Sequence, residues 1–227
     1  MSVSGPQQGG ERLDTFMERA NAAYYAQRDP FADFVTAPEI SQIFGEVLGA
    51  WCAVAMRGLP RQPGSPVHLV EAGPGRGTLM ADMLRVLVRL APDCLTDLSV
   101  HLIETSPRLR RAQEEALARS GVPVFWHDTL SDVPSGPMVF VANEFLDALP
   151  IRQFVRVETG WQERFVLGGL WSLQDCGDVP PAVMARGAAV GEVVEISPAS
   201  AGFVRDVAER LNRSPGVALF IDYGTAT

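Results

Sequence analysis

The sequence contains no lysine, so all 19 of its basic residues are arginine. A Walker-type phosphate loop requires its lysine, as do Schiff-base and pyridoxal chemistry, and the sequence excludes these classes. Acidic residues outnumber basic ones, 27 to 19, and the formal net charge is −8. A chain of this charge is not expected to bind the phosphate backbone of a nucleic acid.

Cysteine and histidine are scarce, with three residues of each type. Cys52, Cys94 and Cys176 are odd in number and far apart, which favours a reducing compartment over a disulfide framework. The cysteines and histidines show no metal-site spacing, so no metal is predicted. Long apolar runs and a secretory signal are also absent, so no membrane partner is predicted. These features are typical of a soluble intracellular protein.

Strands and helices alternate through most of the chain. The predicted strands are Val67–Ala72, Leu98–Glu104, Val122–Trp126, Met138–Ala142 and Val217–Asp222. The predicted helices between and beside them are Thr78–Leu90, one from Pro107 to about Ser120, and one that begins at Pro198. This alternation predicts an α/β fold with a doubly wound, mainly parallel sheet. Segments 154–157 and 164–167, with a further strand at 192–196, predict an antiparallel insertion.

Two helices are predicted before the first strand. The first covers Leu13–Tyr25, where apolar residues recur at helical spacing. The second begins at Thr36, because Thr36-Ala-Pro38-Glu39 is a capping box with proline in the first turn, and it runs to about Arg57. Its cap and its apolar face alone indicate a packing helix.

The first strand leads directly into Gly73, Gly75 and Gly77, and a helix follows. Backbone N–H groups converge on a ligand at such a turn. Thr78 stands where a dinucleotide fingerprint has its third glycine, which favours an adenosine-containing ligand without a pyrophosphate. A plain strand-to-helix turn is the alternative. Glu71 either faces the positive end of a ligand or anchors N–H groups of the loop.

Acidic residues follow the second and third strands. Glu104 could accept hydrogen bonds from both ribose hydroxyls of a nucleoside, and Asp128 could receive an adenine amine. Each residue alone is more typical of a solvated strand end. Together with the glycine turn, they predict a nucleoside site.

The fourth strand ends in Asn143 and Glu144, and Asp147 follows three residues later. This strand would lie beside the first, across the topological switch point, so these side chains would open onto the same crevice. Asn143 offers an amide, and Glu144 and Asp147 would lie on one side of a helical turn. The alternative is an N-terminal cap for a short turn.

Several blocks together closely resemble the MidA family of S-adenosyl-L-methionine (SAM)-dependent methyltransferases. They are Asp33–Gln42, Phe44–Glu46, Val70–Thr78, Asn143–Pro150 with Gln153-Phe154, and Ile221–Gly224. The resemblance implies a Rossmann-like methyltransferase fold and SAM as cofactor. The mitochondrial member methylates an arginine on a respiratory complex I subunit, so a protein substrate is implied. The location would be the cytoplasm in a bacterium and the mitochondrial matrix in a eukaryote.

The resemblance also assigns roles to residues. The methionine end of the cofactor would lie over Gly73–Gly77, near Glu71, with its ribose on Glu104 and its adenine near Asp128. Thr36, Pro38 and Glu39 would form a wall of the active site. Glu144 and Asp147 would hold the substrate guanidinium, and Asn143 would position it.

The sequence pattern and the resemblance together predict how the chain is divided. A single methyltransferase-like domain is expected, with residues 1–12 disordered, 13–60 helical, 67–150 forming the cofactor-binding core, 151–198 the insertion, and 199–227 the last helix and strand. Family members continue well beyond Gly224, so a C-terminal truncation is predicted. Exposed sheet edges would then favour a homo-oligomer.

Two alternatives belong to other functional classes. One is an NAD(P)-dependent oxidoreductase, disfavoured by Thr78 and by the absence of a Tyr-x-x-x-Lys pair. The other is an inactive binding or assembly protein that keeps the fold.

Overall fold

The computed structural model describes residues 10–27, 37–60 and 64–224. The helices are α1 Leu13–Gln27, α2 Ala37–Ile40, α3 Gln42–Gly58, α4 Thr78–Leu90, α5 Pro107–Leu117, α6 Pro181–Met184 and α7 Pro198–Arg213. The strands are β1 Glu11–Arg12, β2 Val67–Ala72, β3 Leu98–Ile103, β4 Val124–His127, β5 Met138–Asn143, β6 Arg152–Val157, β7 Gly160–Leu167, β8 Leu170–Asp175, β9 Val193–Ile196 and β10 Gly216–Ile221. Across the described ranges, no helix has the length and apolar character needed to cross a bilayer.

The chain divides into two compact units. One consists of Met1–Tyr24 and Leu149–Phe203, and the other of Tyr25–Ala148 and Val204–Thr227. The sequence has no linker-like tract where they join, and the single-domain organisation stays a prediction.

The larger unit contains a five-stranded parallel sheet in the order β10-β5-β2-β3-β4. From β2 the chain continues to β3 and β4 on one side, then returns to β5 and β10 on the other. The order therefore reverses between β2 and β5, where Ala72 lies opposite Ala142. Both the doubly wound class and the pairing of the first and fourth predicted strands are confirmed.

Strand β4 begins two residues later than the sequence pattern predicts. The Ser120 hydroxyl bonds to both backbone groups of Val122, and Gly121 has φ +74°, so these residues form a turn. Pro123 has no N–H to donate, although its carbonyl accepts from Val100 N at 2.9 Å. The extended run therefore pairs as a strand only from Val124.

The single helix predicted from Thr36 to Arg57 is wrong in one respect, because α2 and α3 are separate helices. Ser41 lies between them with extended backbone (φ −148°), and its hydroxyl accepts from Ile43 N at 3.3 Å. A serine in this conformation caps a new helix rather than continuing the old one. Thr36 lies outside the described residues.

Helices α3 and α4 approach each other at two glycines. A Cβ atom on Gly45 would lie 2.5 Å from Asp82 Cβ, and one on Gly49 would lie 2.8 Å from the Met83 carbonyl oxygen. Only glycine permits this backbone approach. The contact fixes α3, and the short α2 before it, against the helix that leaves the glycine turn.

Three histidines form a ladder across β2, β3 and β4. His68 Nδ1 lies 3.0 Å from His101 Nε2, and His101 Nδ1 lies 2.9 Å from His127 Nε2. Burial lowers the pKa of all three imidazoles, that of His101 to about 3. The ladder is therefore neutral at pH 7. Within the part of the chain that the structure describes, no cluster of His, Cys, Asp or Glu could hold a metal ion.

The smaller unit contains an antiparallel sheet in which β6 pairs with β7 and β9, and β7 also pairs with β1 and β8. The predicted antiparallel insertion is present. Its hairpin turn is shorter than predicted, because Gly160 has φ +145° and lies opposite Val157. Strand β8 was not predicted.

The predicted disorder of residues 1–12 is wrong for Glu11 and Arg12, which form β1. They lie opposite Val166 and Phe165 of β7, so their backbone joins the antiparallel ladder. Ion pairs with α1 add to this pairing, since Arg12 bonds to Asp14 and Glu11 to Arg19. Residues 1–9 lie outside the described part of the chain.

Candidate active site

The glycine turn after β2 adopts a conformation that favours glycine at three positions. Gly73, Gly75 and Gly77 have φ values of +65°, +56° and +86°. A Cβ atom on Gly73 would also lie 2.8 Å from Phe145 Cδ2. Gly77 donates to the Pro74 carbonyl at 2.8 Å and is the N-cap of α4, where no side chain makes a capping hydrogen bond. Helix N-termini after such turns bind anionic groups at nucleotide sites.

Glu71 lies in β2, two residues before Gly73, and is only 2% exposed. Its Oε2 atom has no hydrogen-bond partner among the described residues. Burial raises the pKa of Glu71 to about 8, so the carboxyl is protonated at neutral pH. Burial, followed by the charge of Glu71, raises the pKa of the nearby Cys52 thiol to about 12. Within the described residues, Oε2 therefore anchors no N–H group of the loop.

Glu104 follows β3 and is held by two donors. Its Oε1 accepts from Ser106 N at 2.7 Å, and its Oε2 lies 3.4 Å from Gln113 Nε2. The carboxyl is half-buried, and burial is the main cause of its raised pKa. The Glu104 carboxyl, which is predicted to bind the ribose, is therefore held in place by protein donors and is not freely solvated.

Asp128 follows β4 and already has a cationic partner. Its Oδ1 accepts from Arg110 at 2.7 Å, and its side chain is 72% exposed. Arg110 also donates through Nε to the Glu104 carbonyl at 2.8 Å. The structure thus brings Asp128 next to Glu104 through a shared arginine, and an adenine amine would compete with that arginine for the carboxylate.

Glu39 lies beside the start of α4. Its Oε1 accepts from the Thr78 hydroxyl at 2.6 Å, and the preceding Pro38 is buried. Thr78, which stands where the dinucleotide fingerprint has its third glycine, therefore donates a hydrogen bond to the predicted active-site wall. Glu39 thus lies beside the helix that leaves the glycine turn, Thr36 falls outside the described residues, and the active-site wall stays a prediction.

Gln113 is a residue that sequence reasoning missed. It is completely buried on α5, donates to the Gly75 carbonyl at 2.7 Å and accepts from Trp126 Nε1 at 2.8 Å. A signal was available, because Leu109, Gln113 and Leu117 recur every four residues and are the buried positions of α5. A glutamine in the middle of an apolar stripe needs polar partners.

The segment after β5 forms a strained acidic turn. Glu144 has φ +50°, and no other non-glycine residue of the described ranges has a positive φ. Its N–H donates to the Ile221 carbonyl at 2.8 Å. The Oδ1 atom of Asn143 is buried and has no partner among the described residues. Such strain is concentrated at functional sites, where surrounding contacts hold it in place.

Asp222, directly after β10, caps this turn from a distant part of the sequence. Its Oδ2 accepts from Leu146 N at 2.8 Å and from Asp147 N at 3.2 Å. Burial first, and then the charges of Asp222 and Glu144, raise the pKa of Asp147. Three carboxyl groups therefore lie near one another. Sequence reasoning missed Asp222 as a site residue, although it follows its strand just as Glu104 follows β3.

The acidic turn and the glycine turn are in direct contact. Phe145, between Glu144 and Asp147, has the ring that restricts Gly73 to glycine. The acidic turn therefore lies beside the glycine turn. This arrangement suits a nucleoside cofactor beside a cationic second substrate.

Comparisons with known proteins identify the family of the chain. Residues 47–227 match a family described as "Putative S-adenosyl-L-methionine-dependent methyltransferase". The chain is 35% identical to "Protein arginine methyltransferase NDUFAF7, mitochondrial" from Xenopus laevis, over 97% of this chain and 57% of that protein. The corresponding human protein is 32% identical, over 97% and 56%. The chain thus spans a little over half the length of these relatives.

A solved structure is also similar. It is a Burkholderia thailandensis protein crystallised with S-adenosyl-homocysteine, with a TM-score of 0.75 and 27% identity over 99% of this chain and 66% of that one. The family match covers most of the chain, including both turns of the site and the acids after β3 and β4. The chain therefore belongs to this S-adenosyl-L-methionine-dependent methyltransferase family, as its resemblance to the MidA proteins predicts.

Proposed function

We propose that this chain transfers a methyl group from SAM to an arginine side chain of a protein. The observation that carries the proposal is the convergence of Glu144, Asp147 and Asp222 beside the glycine turn. The relatives named as protein arginine methyltransferases support the same substrate class. A respiratory complex I-type subunit is the substrate that the MidA resemblance favours, with a mitochondrial location in a eukaryote and a cytoplasmic one in a bacterium.

The residues around the glycine turn fit this cofactor. Its methionine end would lie over the glycine turn at the α4 N-terminus, and its ammonium group would hold the buried Glu71 carboxyl, whose Oε2 has no partner among the described residues, in the ionised, accepting form. Glu104 would bind the ribose hydroxyls, and Asp128 would lie near the adenine. When bound, the cofactor supplies an electrophilic methyl group on a sulfonium, whose sulfur keeps the bonding electron pair after transfer.

The acidic turn would bind and orient the guanidinium. Arginine is permanently charged at neutral pH, and carboxylates hold its planar group through charge-assisted hydrogen bonds. Glu144 and Asp147 would direct one nitrogen toward the methyl group, and Asn143 would contribute its unpaired amide oxygen. As the nitrogen forms its bond to carbon, it loses a proton. Asp147, whose pKa is raised by burial and by the charges of Asp222 and Glu144, would accept that proton.

The test is the substitution Glu144→Gln, assayed with SAM labelled in its methyl group and a synthetic peptide that contains one arginine. A peptide with lysine in place of arginine is the substrate control. We expect at least about a hundredfold slower transfer, the usual scale for loss of an acid–base or orienting group. Binding of S-adenosylhomocysteine should be unchanged. Glu115→Gln, an exposed position on α5, is the matched charge control.

Two results would contradict the proposal. Turnover that survives Glu144→Gln would remove that residue from the reaction. A wild-type chain that binds S-adenosylhomocysteine but methylates no arginine would favour the alternative of an inactive binding or assembly protein.

A further inference from the structure

Gln113 connects three parts of the site that lie far apart in the sequence. Its amide reaches the glycine turn at Gly75, the acid after β3 at Glu104, and the indole of Trp126 on β4. The side chain is completely buried, so no solvent competes for these bonds. It is the fully buried polar residue of α5.

The partners of Gln113 determine the orientation of its amide. An indole N–H only donates, so the glutamine oxygen must face Trp126. A backbone carbonyl and a carboxylate only accept, so the amide nitrogen must face Gly75 and Glu104. All three contacts are satisfied by one orientation, and the reverse orientation would satisfy none of them.

We infer that Gln113 is a positioning residue that sets the selectivity of this site for a ribose with both hydroxyls. The inference rests on the proposed function, because it takes Glu104 as the ribose ligand. Ser106 N holds Oε1 of Glu104, and Gln113 holds Oε2. Because both oxygens are held, the carboxyl has a single orientation in which it accepts hydrogen bonds from the two ribose hydroxyls. The same amide holds the Gly75 carbonyl, so the glycine turn and the ribose acid keep a constant separation.

The substitution Gln113→Met removes both polar functions and keeps the length and helix preference of the side chain. Gln113→Glu would instead place an acceptor against the Gly75 carbonyl and against Glu104. Trp126→Phe provides a second perturbation that leaves Gln113 in place but removes the donor that orients it. Leu87→Ala, in the core on α4 and outside the network, is a control for general destabilisation.

The experiment measures dissociation constants of the full chain for S-adenosylhomocysteine and for its 3′-deoxyribose analogue by calorimetry. For the wild type we expect the analogue to bind about tenfold or more weakly, the scale for loss of one hydrogen bond to a charged group. In Gln113→Met this ratio should fall at least about threefold, with a smaller fall in Trp126→Phe. Leu87→Ala should lower the melting temperature and leave the ratio unchanged.

The outcomes distinguish failure of the proposed function from failure of the role of Gln113. If the wild type binds neither ligand, the proposed function fails, and this inference fails with it. If the wild type discriminates and both network variants keep its ratio, Gln113 has only a packing role and the inference is wrong. A reduced ratio in Leu87→Ala as well would also overturn it, because loss of stability alone would then explain the effect.

Discussion

The buried carboxyl of Glu71 makes the stability of this protein depend on pH in a direction that can be calculated. Its pKa rises from 4.5 in the unfolded chain to about 8 in the folded protein, because burial disfavours the charged form. The folded state therefore holds a proton between these values that the unfolded state has lost. A group with a raised folded pKa contributes stability that is complete below pH 4.5 and is lost as the pH rises through about 8.

The window between about pH 6.5 and pH 8 suits this measurement. The lowered pKa values of His68, His101 and His127 act mainly below it, and the thiol of Cys52 titrates mainly above it. Over this window, linkage lowers the contribution of Glu71 to the free energy of unfolding by about 1.5–2 kcal/mol. Glu71→Gln has the same shape and no titration at this position, so it keeps the pH dependence of every other group and lacks this loss.

The assay is urea denaturation of both proteins at about pH 6.5 and at about pH 8, followed by tryptophan fluorescence and circular dichroism. The free energy of unfolding of the wild type is subtracted from that of Glu71→Gln at each pH. This difference should be about 1.5–2 kcal/mol more positive at pH 8 than at pH 6.5. Equal m-values would show that the denatured states are comparable. A difference that does not change between the two pH values would refute the buried, protonated Glu71.

Two further predictions concern the glycine turn and the histidine ladder. Gly73→Ala should destabilise the fold by about 1–3 kcal/mol and abolish binding of S-adenosylhomocysteine, because the new Cβ would lie 2.8 Å from Phe145 on a left-handed backbone. Thermal melts measure the loss of stability and calorimetry measures the loss of binding. Binding by the variant with wild-type affinity would contradict the prediction. Below pH 6.5 the unfolded wild type takes up a proton on His101, whereas the folded protein, in which the pKa of His101 is about 3, does not. His101→Gln should therefore gain stability relative to the wild type on acidification, by up to about 1.4 kcal/mol per pH unit. Parallel urea midpoints for this pair of proteins from pH 6.5 to 4.5 would show that His101 is not held neutral.

The parallel sheet could be predicted because its strands are short, apolar and separated by helices with clear start signals. The pairing of β2 with β5 followed from the rule that a doubly wound sheet reverses its order at the first strand. Strand β8 also has a local signal, because Gly168 and Gly169, both with positive φ, stand between two apolar runs as in a hairpin turn. These elements depend on local sequence.

The missed parts of the site depend on contacts that local sequence does not contain. Asp222 caps a turn about 75 residues earlier in the chain, and only the placement of β10 beside β5 brings them together. Gln113 requires the rotation of α5 relative to β4 and to the glycine turn. The histidine ladder depends on the register of three strands, with His68 opposite Ser99 and Ile103 opposite His127. At Ser41 two local signals conflict, because a serine can cap a new helix while the apolar face on both sides favours one continuous helix.

The most direct test of the cofactor site is hydrogen–deuterium exchange of the 227-residue chain with and without S-adenosylhomocysteine, read by mass spectrometry. We predict slower exchange in peptides that cover Val70–Thr78 and in those around Glu104, and no change when NADH replaces the ligand. Unchanged exchange in both segments at saturating S-adenosylhomocysteine, in a chain that is folded by circular dichroism, would contradict a cofactor site at the glycine turn.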